Sequence, residues 1–157
     1  MRIKSKLIQY FSAYIARDIA KWQSTAIQDQ HDILKKLISK GKSTVFGKDH
    51  QFGNIANYED FKKAVPVRDY EGIRSYIEKI IEGHKHVLWP GVPKYFAKTS
   101  GTTSGVKYIP VTHDSIPNHI NTARNALLNY IHMSGNGDIF DGNVIFLSGS
   151  PELELKG

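Results

Sequence analysis

Seven consecutive positions, Thr99 to Gly105, hold five hydroxyl side chains and two glycines, and Lys107 follows two places on. Glycines let backbone N–H groups approach an anion closely. Serine and threonine hydroxyls add short neutral donors, and the lysine adds a movable positive charge. That is the chemistry of a loop that wraps a polyphosphate. Its candidate binding residues are Thr99, Ser100, Gly101, Thr102, Thr103, Ser104, Gly105 and Lys107. Two familiar phosphate-loop patterns fail here. The Walker pattern wants two glycines five apart and then Lys-Ser/Thr, whereas Gly101 and Gly105 are four apart and Lys107 precedes Tyr108. The dinucleotide pattern G-x-G-x-x-G wants a glycine where Thr103 stands. A solvated hairpin loop rich in Ser, Thr and Gly is the plainer alternative.

The elements around the loop favour the anion-binding reading. Tyr95-Phe96-Ala97 leads in and Tyr108-Ile109-Pro110-Val111 leads out, two apolar strand candidates that hold the loop's ends. Lys107 opens the second strand, where it can fold back over the loop. Leu88-Trp89-Pro90-Gly91-Val92-Pro93 is a proline-rich turn into the first strand.

Upstream, helical spacing dominates. Ile3, Leu7, Tyr10, Phe11, Tyr14, Ile15 and Trp22 fall on one stripe, which predicts an amphipathic helix over 3–22 packed onto the rest of the protein. Ser24 is placed to cap a second helix over 25–40, with Ile27, Leu34, Leu37 and Ile38 inward and Gly41 as its stop. Residues 42–56 read as a loop. Asn57 caps a short helix to about Ala64, before Pro66, and Asp69 caps a stronger one over 70–82 that Gly83 ends.

Downstream, Ser115-Ile116-Pro117 starts a helix whose face is Ile116, Ile120, Ala123, Leu127, Tyr130 and Ile131. It runs to Gly135. Residues 135–142 read as a turn region, and Asn143 to Leu147 as a buried strand. The expected class is α/β, mainly helical in this segment, with a few short strands.

The chain has 157 residues, enough for a domain with a real core. At 40% hydrophobic and 23% charged it reads as globular. The absence of cysteine excludes disulfides, thiolate metal sites and cysteine nucleophiles. A net charge of +6 favours anionic partners without naming one. No stretch approaches the roughly 20 apolar residues of a membrane span, and no secretory signal is visible. A cytoplasmic location is the expectation.

The seven histidines are scattered. His84-x-His86 is their one close pair, in a polar loop without the further ligands a zinc site wants. Glu78, Glu82, Glu152 and Glu154 show no spacing that compels acid–base work. No residue is assigned a catalytic or metal-binding role.

Phe96 to Lys107 resembles, position for position, the phosphate-binding signature of the adenylate-forming enzymes. Val65-Pro66-Val67-Arg68-Asp69-Tyr70, then Ile73, Tyr76-Ile77, Ile80, Gly83 and Leu88-Trp89-Pro90-Gly91 resemble one branch of them, the acyl acid–amido synthetases of the auxin-responsive (Gretchen Hagen) family. Ile109-Pro110-Val111-Thr112 and Phe146-Leu147-Ser148-Gly149-Ser150-Pro151 look like that branch too. The resemblance covers about residues 58–155.

The resemblance implies an ATP-dependent ligase with Mg2+. It joins a carboxylic acid to an amine such as an amino acid through an acyl-adenylate. Thr99 to Lys107 would bind the ATP phosphates, and no nucleic acid is expected as a partner. The family's adenine, acyl and magnesium sites lie further along, so the chain looks like an amino-terminal portion of the adenylate-forming fold. A helical lead-in over 1–56 and an incomplete domain over 57–157 follow, with no catalysis expected from the segment alone. Two other readings stay open. One is a basic helical module that binds nucleic acid or another polyanion through its charge. The other treats residues 1–40 as a partner-binding helical hairpin.

Overall fold

The computed structural model describes residues 3–99 and 105–143. They form five α-helices and one two-stranded sheet: α1 (Ile3–Gly41), α2 (Val45–Asp49), α3 (Tyr58–Ala64), α4 (Arg74–Ile81), β1 (Tyr95–Thr99), β2 (Lys107–Val111) and α5 (Ile116–Ser134). Short 3-10 turns lie at Phe52–Asn54, Glu71–Ile73 and Asp138–Asp141. The mainly helical class with short strands is therefore borne out. The strand expected from Asn143 to Leu147 lies almost wholly outside the described residues.

The described residues divide into two compact units. Residues 3–26 and 117–143 make the first. Its core is Ile15, Leu128 and Ile131, with Ile8, Ile19 and Ile139 partly buried against it. Ser5 and Ser12 are buried on the same side of α1. This corrects the expected stripe. Ile15 is buried as expected, but Leu7, Tyr10, Phe11, Tyr14 and Trp22 are exposed, and Ile8, Ser12 and Ile19 complete the inward face. Aromatic bulk misleads here, since side-chain size alone does not mark the buried face. On α5 Ile131 is buried as expected and Leu128 joins it, whereas Ile120 and Tyr130, also expected inward, are exposed.

A second correction concerns Ser24. No cap forms there, and α1 runs unbroken through it. The Ser24 and Thr25 hydroxyls both donate back to the Lys21 carbonyl, at 2.7 and 3.1 Å. Such back-bonding lets these residues sit inside a helix. Residues 3–40 thus lie in one helix and are not a helical hairpin.

Residues 27–99 and 105–116 form the second unit. Tyr76, Ile80 and Val87 make its core, packed by Val45, Phe46, Leu88 and Phe96. The segment 42–56 is not simply a loop. Thr44 Oγ1 accepts from Gly47 N at 3.0 Å and so caps α2. The Val45 and Phe46 N–H groups donate to the His86 and Val87 carbonyls, at 2.9 and 3.0 Å, which fastens α2 to the segment after α4.

Asn57 caps α3 as expected, its side chain accepting from Asp60 N at 3.0 Å. Asp69 accepts from Gly72 N at 3.0 Å, but the turn it caps is the 3-10 turn Glu71–Ile73, and α4 starts only at Arg74. Gly83, at φ +89°, ends α4 in the left-handed region that glycine suits.

Candidate functional site

The hairpin β1–β2 is antiparallel, and its register pairs Tyr95 with Val111 and Thr99 with Lys107. β-branched and aromatic residues favour this extended pairing. Phe96 meets Tyr108 edge-on, with ring centroids 6.3 Å apart, and also packs on the Tyr76–Ile80–Val87 core. One aromatic side chain thus anchors the hairpin to α4.

The two ends of the hydroxyl loop are well placed. Thr99 closes β1 and Lys107 opens β2, as directly paired partners. Gly105 has φ +82°, a conformation that would strain any residue with a Cβ. Ser100, Gly101, Thr102, Thr103 and Ser104 lie outside the described residues. The structure therefore brings Thr99 and Lys107 together and shows Gly105 turning the chain between them.

Tyr70 is the residue that sequence reasoning missed at this site. The helical pattern made it an apolar position at the start of a helix. Its hydroxyl instead accepts from Tyr108 N at 3.0 Å. Its ring lies beneath two cations, Lys107 Nζ at 5.5 Å and the Arg74 guanidinium at 5.9 Å from the ring centroid. Arg74 also pairs with Glu71 at 2.8 Å. The signal was the hydroxyl itself, since a tyrosine in place of leucine brings a polar end that needs a partner.

Further contacts tie together the elements around the core on which Phe96 packs. His50 is buried and stacks on Phe46 with centroids 4.0 Å apart. Its Nδ1 lies 2.8 Å from the Phe46 carbonyl, which can only accept, so Nε2 is left to accept from Arg68, also at 2.8 Å. Tyr76 donates its hydroxyl proton to Asp49 at 2.8 Å. Burial, and next that bond, push the Tyr76 hydroxyl above its ordinary pKa.

Beyond β2, Asp114 accepts from Lys40 at 2.7 Å and from Trp89 Nε1 at 3.1 Å. The Lys40 hydrogen bond, then that from Trp89, holds the Asp114 carboxyl below the usual range. Trp89 is therefore tied into this clip.

Among the described residues, no group of three or more His, Cys, Asp or Glu side chains could hold a metal ion. His84 and His86 are engaged separately. His84 Nδ1 lies 3.0 Å from the Lys79 carbonyl, and His86 Nδ1 accepts from Gly91 N at 3.1 Å. A cleft of about 500 Å3 is lined by His31, Leu34, Lys35, Ile38, Phe52 and Tyr58 among others, and no hairpin residue lines it. No helix among the described residues is long and apolar enough to cross a membrane.

The described residues thus set Thr99 and Lys107 as partners on a hairpin among helices, and comparison with known proteins makes the chain's class definite. The GH3 family N-terminal domain matches residues 15–150, and the chain belongs to that family. It is 34% identical over 111 residues to indole-3-acetic acid-amido synthetase GH3.15 of Arabidopsis thaliana, covering 69% of this chain and 18% of that protein. It is 26% identical over 135 residues to jasmonoyl–L-amino acid synthetase GH3.5 of Oryza sativa subsp. japonica, covering 84% of this chain and 23% of that one. The chain thus spans about a fifth of the length of these relatives.

Proposed function

We propose that this chain carries the ATP-phosphate loop of an acyl-adenylate-forming ligase that joins a carboxylic acid to an amino acid. The printed names of the relatives, an indole-3-acetic acid-amido synthetase and a jasmonoyl–L-amino acid synthetase, support this reaction class. The observation that carries the phosphate role is the register pairing Thr99 with Lys107, with Gly105 at positive φ between them. This pairing sets the Lys107 backbone directly opposite Thr99, across the ends of the hydroxyl-rich segment.

In this reading Thr99, Ser100, Thr102, Thr103 and Ser104 donate hydroxyl hydrogen bonds, and the Gly101 and Gly105 backbones allow close approach. Lys107 offsets phosphate charge. Positioning and charge neutralisation are what nucleotidyl transfer asks of a protein. Magnesium would accompany the ATP. The cytoplasm, where ATP is plentiful, is the proposed location.

Calorimetric titration with Mg·ATP tests the reading. Lys107→Ala and Ser100→Ala are each expected to weaken binding by about tenfold, the size of a lost charge-assisted hydrogen bond. Binding that is unchanged in both variants, yet falls steeply with salt and extends to any polyanion, would favour the basic-module alternative instead.

A further inference from the structure

We propose that Tyr70 is a positioning residue for Lys107. The inference rests on reading residues 99–107 as a phosphate loop. It adds a residue outside that loop which sets where the loop's cation points.

Two contacts from one side chain carry it. The Tyr70 hydroxyl accepts from the Tyr108 N–H at 3.0 Å, and the Tyr108 carbonyl lies 3.5 Å from the same oxygen. This fixes the backbone one residue beyond Lys107. The Tyr70 ring lies 5.5 Å from Lys107 Nζ, within cation–π range. The same side chain therefore holds both the root and the tip of Lys107.

A lysine is a point charge on a flexible four-carbon stem, so its use against a phosphate depends on what limits its rotamers. The ring limits them by attraction, without neutralising the charge as a carboxylate would. Arg74, the ring's other cation at 5.9 Å from its centroid, is paired with Glu71. Its charge is thereby partly offset, while the ring leaves that of Lys107 intact.

Tyr70 itself comes from a segment the fold holds firmly. Asp69 caps the turn that follows it through Gly72 N. Arg68, one place earlier, bonds buried His50 at 2.8 Å. The hydroxyl thus arrives at β2 from a braced turn.

The experiment uses the full chain, inorganic pyrophosphate with magnesium as the probe, and Y70F and Y70L each made with and without K107A. Proton shifts of the Lys107 side chain are recorded alongside. Y70F is expected to weaken pyrophosphate binding about three- to tenfold, the worth of one hydrogen bond, with Y70L at least as damaging. Neither should weaken it further in the K107A background. Ring current should shift the Lys107 ε-methylene protons upfield in the wild type and in Y70F, and Y70L should abolish that shift.

Equal losses with and without Lys107 would overturn the proposal, as would Lys107 shifts already at the free-lysine value in the wild type. If K107A leaves pyrophosphate binding untouched, the phosphate-loop reading fails instead. The ring-current shift then still decides whether Tyr70 holds Lys107. Y70F, which keeps the ring, guards against a Y70L chain that does not fold.

Discussion

The two compact units are held together by different means. In the unit of residues 27–116, short elements are tied by side chains to backbone. Thr44, Asn57 and Asp69 each accept from an N–H three residues on, and the Tyr70 hydroxyl accepts from Tyr108 across the fold. In the unit of residues 3–26 and 117–143, two long helices meet on Ile15, Leu128 and Ile131. A short helix has few internal hydrogen bonds to share the cost of nucleation, so it needs caps and clamps. A long helix satisfies its own backbone and needs only one buried stripe. Polar changes should therefore injure the first region, and apolar truncations the second.

The largest effect should fall on the long helices. Ile131 is fully buried, and Ile131→Ala is expected to cost about 2–5 kcal/mol of unfolding free energy. Met133, two residues on, is 78% exposed, and Met133→Ala should cost no more than about 0.5 kcal/mol. Urea denaturation of both variants checks this; similar costs would contradict the described packing.

In the short-element region, Gly47→Ala should be the most damaging small change. An added Cβ would run into the Gly41 carbonyl, so the end of α1 and the start of α2 would have to separate. The expected cost is about 1–3 kcal/mol. A thermal melt equal to wild type would remove the close approach from the description.

A smaller contrast separates a true cap from an apparent one. Asn57→Ala should cost about 1 kcal/mol, since Asn57 bonds Asp60 N at the start of α3. Ser24→Ala should cost nothing measurable or stabilise slightly, because Ser24 lies mid-helix and alanine is the better helix former. Equal penalties in denaturant titrations would mean that α1 is interrupted at Ser24.

These contrasts also mark how far the sequence was legible. Local backbone chemistry read well. Asn57 as a cap, Gly83 as a stop, proline in the first turn of α5 and the β1–β2 hairpin all act through residues close in the chain. The faces of α1 and α5 read poorly, because Ser5 and Ser12 are buried while Tyr10 is 83% exposed. Which stripe is buried depends on the partner helix, and size alone does not report it. Thr44 was passed over because its helix is only five residues long, too short to show periodicity. At the candidate site, the loop's composition was visible at once. Its support was not, since the Tyr70–Tyr108 bond joins residues 38 apart.

The smallest expected effect is electrostatic. The Asp114 carboxyl is held low by Lys40 and Trp89. A depressed carboxylate contributes stability that is present above its unfolded pKa and is lost as pH falls through the folded value. The contribution of the clip should therefore fade only in acid, below the ordinary aspartate value of about 3.9. A carboxyl NMR titration should place Asp114 below that value in the wild type and closer to it in Lys40→Met. An Asp114 midpoint unmoved by that substitution would deny the pairing.

The phosphate role is tested most directly by titrating inorganic pyrophosphate, with magnesium, into the wild-type chain and Lys107→Ala at several salt concentrations. About a tenfold loss on removing Lys107, sustained across the salt series, is the predicted result. Equal affinity in the two chains at every salt concentration would contradict it.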